Sequence, residues 1–188
     1  MFMQSSNSML KPALAMLRIA VLNALVMAAP ILAIAGDFNH DHAPATLVQI
    51  VRANTAQFIN VNNLKGTGYA PLFGCVSGPD HGAMGIHYLN LGLVGDGMLD
   101  KRYPEALIYE PVGNARRLVG VEYIVDAATW LAAHDNAPPE LEGQDFQFVD
   151  APNRFGIPSF FELHVWAWRD NPNGAFVDWN NNVTCERE

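Results

Sequence analysis

The chain has 188 residues, a length that suits one domain, and half of them are hydrophobic, so a real core can form. The formal net charge is −8 and every acidic residue lies after residue 36. This balance argues against nucleic-acid binding, which wants a basic face. The sequence also lacks internal repeats and a phosphate-binding glycine loop, so no nucleotide cofactor is expected.

Lys11 and Arg18 precede a nearly uncharged apolar run from Ile19 to Ile34 that ends in Ala33-Ile34-Ala35. A basic start, an apolar stretch and a small-x-small ending are the pattern of a secretory leader. Residues 1–35 therefore read as a signal peptide, with the mature chain starting at Gly36. The alternative is an uncleaved anchor, but a run broken by Asn23 and Pro30 is short for a spanning helix. A cleaved leader implies export, to a periplasm or outside the cell, with no stable membrane insertion after processing. Residues 36–43 carry Asp37, His40, Asp41 and His42. A His-x-His beside acids binds copper or zinc weakly, yet new N-termini are usually loose, so this segment reads as a flexible tail. Residues 44–188 remain as a single domain. Its two cysteines, Cys75 and Cys185, are expected to pair in an oxidising compartment, the alternative being two buried thiols.

Pro44 suits the first turn of a helix over about 45–59, with Leu47, Ile50, Val51 and Phe58 near helical spacing. A second helical turn over 61–65 ends at Gly66 and Gly68. Ala83 to Asn90 is the first clear strand, with His87 and Leu89 on one face and Ile86 and Tyr88 on the other. Glu105 to Glu110 is a second strand that should stop at Pro111, and Gly113-Asn114 is the bend of a hairpin. The third strand runs from Arg117 to Val125, with Leu118, Gly120, Glu122 and Ile124 on one side. Asp126 is placed to cap a short helix over 127–133, and Phe146 to Val149 reads as an edge strand.

Phe160 to Trp168 alternates most clearly. Phe160, Glu162, His164, Trp166 and Trp168 form one row, and Phe161, Leu163, Val165 and Ala167 the other. Both rows are apolar enough for a central strand covered on both faces. Asn171-Pro172-Asn173-Gly174 is a strong turn, after which residues 175–180 should return as a second strand or an extended arm. One N-terminal helix followed by hairpin-linked strands predicts an α+β fold, the helix packed on a mostly antiparallel sheet. A β-barrel or cupin-like sandwich is the alternative.

Three strands each set an ionisable side chain among hydrophobic ones: His87, Glu122 and His164. Glu162 shares the His164 face. Two histidines and a carboxylate from separate strands can hold zinc, iron, manganese or copper with positions left open for a small molecule, water or dioxygen. This predicts an exported metal- or small-molecule-binding protein, with a metal-dependent enzyme as its furthest form. The competing class is a structural or interaction protein, with His87 and His164 buried and hydrogen-bonded to Tyr88, Tyr109, Glu122 or backbone. Acid–base chemistry without metal is a third reading. Nucleophilic hydrolysis finds no support, since Ser77 and Ser159 are the only serines after the leader and neither lies in Gly-x-Ser-x-Gly. Asp80-His81-Gly82 reads as a solvated loop.

Four ordered segments carry a resemblance. They are Ala83-Met-Gly-Ile-His-Tyr88, Pro104-Glu-Ala-Leu-Ile-Tyr-Glu-Pro111, Leu118-Val-Gly-Val-Glu-Tyr123, and Leu163-His-Val-Trp-Ala-Trp-Arg-Asp-Asn-Pro-Asn-Gly174 with its tail to Cys185. Together they resemble a family of exported, mostly bacterial proteins without an established activity. The resemblance spans roughly residues 45–186 and implies a whole family member with a leader. His87, Glu122 and His164 lie inside the matching segments, whereas His40, His42 and His81 do not.

Overall fold

A computed structural model describes residues 45–78 and 80–186. The expected leader (1–35) and tail (36–43), with His40 and His42, lie outside the described residues. In chain order the elements are α1 (Thr46–Thr55), two short 3-10 turns (Ala56–Ile59 and Val61–Leu64), β1 (Tyr69–Pro71), β2 (Val76–Ser77) and β3 (Ala83–Asn90). Then come α2 (Leu91–Val94), β4 (Ala106–Val112), β5 (Ala115–Asp126), α3 (Ala127–Ala133), β6 (Glu140–Leu141), β7 (Gln144–Asp145), β8 (Gln147–Val149) and β9 (Phe160–Val165).

The main sheet is antiparallel in the order β1-β3-β4-β5-β9-β8, with β2 also paired to β3. It stays open, with β1 at one edge and β8 at the other, so the fold is α+β and not a closed barrel. α1 lays Leu47, Val48 and Val51 on one face of the sheet, against Leu107, Tyr109, Val121, Tyr123, Leu163 and Val165. Arg52 Nε donates to the Ala167 carbonyl at 2.6 Å, and Trp168 Nε1 donates to Thr55 Oγ1 at 3.0 Å. These two bonds tie the helix to the chain leaving β9. Asp126 caps α3 by accepting from the Thr129 amide at 2.8 Å.

Several expectations need correction. β9 is not central: it lies one strand in from the β8 edge and ends at Val165, where the Trp166 amide turns away to the Ala175 carbonyl. Trp168 consequently joins the α1 side instead of the His164 row. Residues 175–180 form turns, not a return strand, and touch the sheet through an isolated bridge from Asn180 to Ala83. β4 runs past Pro111 to Val112. Its pairing with β3 reaches only to Tyr109, so on that side Pro111 faces no strand that needs its missing N–H. Finally, β5 carries a bulge. Ile108 pairs with Gly120 but Tyr109 pairs with Leu118, and Val119 is the extra residue. Leu118 therefore joins the α1 face, while Val119 packs with Ile108 and Trp166 on the other.

Among the described residues, that other face carries only the four-residue α2 as a helix. Loops and the C-terminal segment cover it, stapled by the Cys75–Cys185 disulfide, whose Cα atoms are 5.6 Å apart. Glu110 holds the same segment, accepting from the Thr184 amide at 3.2 Å. Gly82 sits where the loop meets this segment, at φ +77°, and a Cβ there would lie 2.1 Å from the Asn180 carbonyl oxygen. Only glycine fits that approach.

Candidate metal centre

The loop-covered face gathers the ionisable side chains. In the antiparallel register Glu122 of β5 stands beside His164 of β9, and Ile124 beside Glu162. On the other flank, Glu122 faces Ala106 of β4, and Ala106 faces Leu89 of β3. His87, two residues from Leu89, projects from the same face. β4 separates β3 from β5, a gap of about 9.6 Å between strand axes. His87 itself stands opposite Ile108 of β4, so its imidazole reaches diagonally across β4 toward Glu122. His87 Nε2 comes to 3.4 Å from Glu122 Oε2.

The two imidazoles stand edge to face, 5.8 Å between centroids and 89° between planes. One potential ligand atom from each of His87, Glu122 and His164 lies within 4.8 Å of the others. Glu162, His164 and Asp178 meet the same limit, so His164 belongs to both groups. Asp178 comes from the C-terminal segment, and its Oδ1 is 3.6 Å from His164 Nδ1. Two bonds place it: Trp166 Nε1 donates to the neighbouring Val177 carbonyl at 2.5 Å, and Gln147 Nε2 donates to Asp178 Oδ1 at 2.7 Å.

Burial sets the charges. Desolvation pulls His87 down to about 4, with only a small offset from the Gly85 backbone. Desolvation also pushes His164 well below its usual range, and the nearby His87 adds to this. Both rings are neutral at pH 7, the form that binds metal. Glu122 is pushed well up, first by burial and then by the charge of Glu162. Burial raises Glu162 too, opposed by its hydrogen bond with Glu122. The protonated Glu122 donates and Glu162 accepts, so the carboxyls hold one proton between them. Burial raises Asp178, and the Gln147 bond opposes it. The His87–Glu122 contact is therefore a meeting of neutral groups and not an ion pair.

Three buried nitrogens have no hydrogen-bond partner: His87 Nδ1 and both ring nitrogens of His164. Of the partners expected for structural histidines, Glu122 does meet His87, whereas the two tyrosines do not. Tyr88 and Tyr109 meet edge to face at 4.9 Å on the α1 face, and Tyr109 Oη donates to the Phe58 carbonyl at 2.7 Å.

The cluster is approached from two sides. His87, Glu122 and Glu162 form the floor of a cavity of about 260 Å³, whose walls are otherwise almost wholly apolar. Asp178 lines a polar pocket of about 360 Å³ with His81, Gln147 and Trp179.

Sequence reasoning singled out His87, Glu122 and His164 and put Glu162 on the His164 face, and the strand register sets all four on one side of the sheet. It missed Asp178. The one available signal was an acid inside the apolar stretch from Ala175 to Trp179. Glu105 and Glu110 stay outside the cluster: Glu105 accepts from the Ile124 amide at 3.0 Å, and Glu110 pairs with Arg117 at 3.2 Å. His81 reaches the polar pocket but not the cluster.

Comparison with protein-family models, with curated proteins and with solved structures gave no match for this chain.

Proposed function

We propose that the chain is an exported metal-binding protein with a two-histidine, one-carboxylate centre. His87, His164 and Glu122 are its ligands, and Glu162 is the carboxyl beside them. Neutral imidazole and carboxylate donors suit zinc, iron, manganese or copper. The observation that carries this reading is the set of three unpartnered imidazole nitrogens, buried among carboxyls. Leaving such atoms buried and unpaired costs roughly 1–3 kcal/mol each. A bound ion converts part of that cost into coordination, taking one nitrogen from each ring. A tetrahedral ion with ligands at about 2.0–2.2 Å holds its donors about 3.4 Å apart. Small side-chain rotations close the observed spacing to that value.

His87, Glu122 and Glu162 line the cavity, so an open coordination position would face it. A centre with an open position can bind a small molecule or activate water. Glu122 must give up its proton to ligate, so metal binding strengthens as pH rises and weakens toward pH 5. The leader pattern and the Cys75–Cys185 disulfide support export.

The test is metal analysis of the purified mature chain and of His164→Gln, before and after zinc loading. Glutamine keeps volume and hydrogen bonding but ligates poorly. The expected result is near-stoichiometric metal in the parent and little in a folded variant. Full occupancy in His164→Gln would remove His164 from the ligand set. No metal in either protein would favour the structural reading.

A further inference from the structure

We infer that the cavity above the histidine–carboxyl floor binds an uncharged small molecule with an apolar body and one hydroxyl head, an alcohol or phenol of about ten non-hydrogen atoms. This rests on the metal reading for the head and on the cavity alone for the body.

Size comes first. A cavity of 150 Å³ holds a benzene ring, so 260 Å³ accommodates about ten heavy atoms at the same density. The walls match an alkyl or aryl body: Leu89, Val94, Ile124, Phe155 and Phe160 face it. The mouth is apolar too. Leu72, Leu91 and Ile157 line the cavity and are 47, 61 and 39% exposed. Seven large hydrophobic residues are exposed among the described residues, and three of them gather at this one opening. An exposed apolar rim around a concave site marks a binding surface.

The head group follows from charge. No lysine or arginine lines the cavity, and its ionisable lining is Asp126, Glu122, Glu162 and His87. An anionic head would meet Asp126 and Glu162 as well as the ligand Glu122, three carboxylates that already outweigh the charge of a divalent ion. A cationic head would compete with the metal for the same floor. A neutral hydroxyl avoids both penalties. Its oxygen can ligate the ion while its proton is donated to Glu162.

The experiment is calorimetric titration of the mature protein, zinc-loaded and EDTA-treated, with para-propylphenol, para-propylanisole and para-propylbenzoate. Zinc content is measured in the same samples. The phenol is expected to bind the zinc-loaded protein about tenfold or more tighter than the anisole, which cannot donate, or the benzoate, which is charged. Weaker but measurable phenol binding is expected after EDTA. Val94→Trp fills the wall and Ile157→Trp crowds the mouth. Each should weaken the phenol about tenfold and leave zinc content unchanged. Phenol binding no tighter than anisole or benzoate, or undiminished in both tryptophan variants, overturns the inference. Should either variant fail to fold, the three-ligand comparison on the parent protein decides alone. Zinc retained without phenol selectivity sinks only this proposal. Phenol selectivity without any zinc sinks only the metal reading.

Discussion

The two faces of the main sheet handle buried polar atoms in opposite ways. Under α1 the polar tips are tyrosine hydroxyls, and each donates to a backbone carbonyl: Tyr69 to Pro104, Tyr109 to Phe58 and Tyr123 to Lys101, at 2.6–2.7 Å. Under the loops the polar tips are imidazoles and carboxyls that face each other, and three ring nitrogens lack a hydrogen-bond partner. The helix-covered face is built as a core. The loop-covered face carries an unmet demand for a ligand, and functional sites are where such local costs are tolerated.

The largest effect that can break this contrast comes from the disulfide, which ties down only the loop-covered side. Residues 75 and 185 lie 110 apart in sequence, so the chain-entropy model assigns their cross-link about 4–5 kcal/mol. Replacing both cysteines by serine should lower stability by that order in chemical denaturation. Hydrogen exchange should then quicken first in residues 72–84 and 176–186, with α1 and β5 still protected. Equal loss of protection in α1 would show that the two faces are not separable.

The next effect is a pH dependence at the margin between the faces. Burial pushes Glu105 up to about 8 from an ordinary value of 4.5. Between those values the folded chain keeps a proton that the unfolded chain has lost. The stabilisation is fully present below about pH 4.5 and is lost as pH rises through about 8. The loss is on the order of 3–5 kcal/mol, and the raised Glu122 and Glu162 act in the same direction. Glu105→Gln cannot ionise, so its urea midpoint should fall less than the parent's between pH 6 and pH 8.5. An equal fall in both proteins would mean that Glu105 is not the group responsible.

Much of this arrangement was legible in the sequence because it follows from alternation and local caps. The bounds of β3, the Gly113-Asn114 bend, the Asp126 cap and the shared face of Glu162 and His164 all rest on periodicity or on a single side chain's geometry. The rest depends on distant partners. β1 and β2 are three and two residues long, too short to alternate. Beside the bulge at Val119, a Cβ on Gly120 would lie 2.8 Å from the Val165 carbonyl oxygen and 3.2 Å from the Trp166 ring, so the chain leaving β9 sets what fits there. Asp178 reaches His164 only because Trp166 and Gln147 hold its segment there. The reach of His87 across β4 to Glu122 depends on the β3–β4–β5 register, and no local spacing reveals that pairing.

The smallest effects give the sharpest test of the contrast, because two substitutions should move stability in opposite directions. Tyr123→Phe removes a hydroxyl that donates to the Lys101 carbonyl at 2.7 Å and leaves that carbonyl without its partner. It should destabilise by about 1 kcal/mol. His87→Leu exchanges a buried imidazole for an apolar group of similar volume. It removes the orphaned Nδ1 and leaves Glu122 bonded to Glu162. With EDTA present at pH 7, His87→Leu should stabilise by about 1–2 kcal/mol. Zinc should reverse the order. The parent gains stability with ligand concentration by mass action, while the variant, having lost a ligand, gains little. Urea midpoints for the three proteins, with EDTA and with zinc, measure both effects. If His87→Leu is the more damaging change in EDTA, the imidazole already has a partner and the loop-covered face is a core like the other.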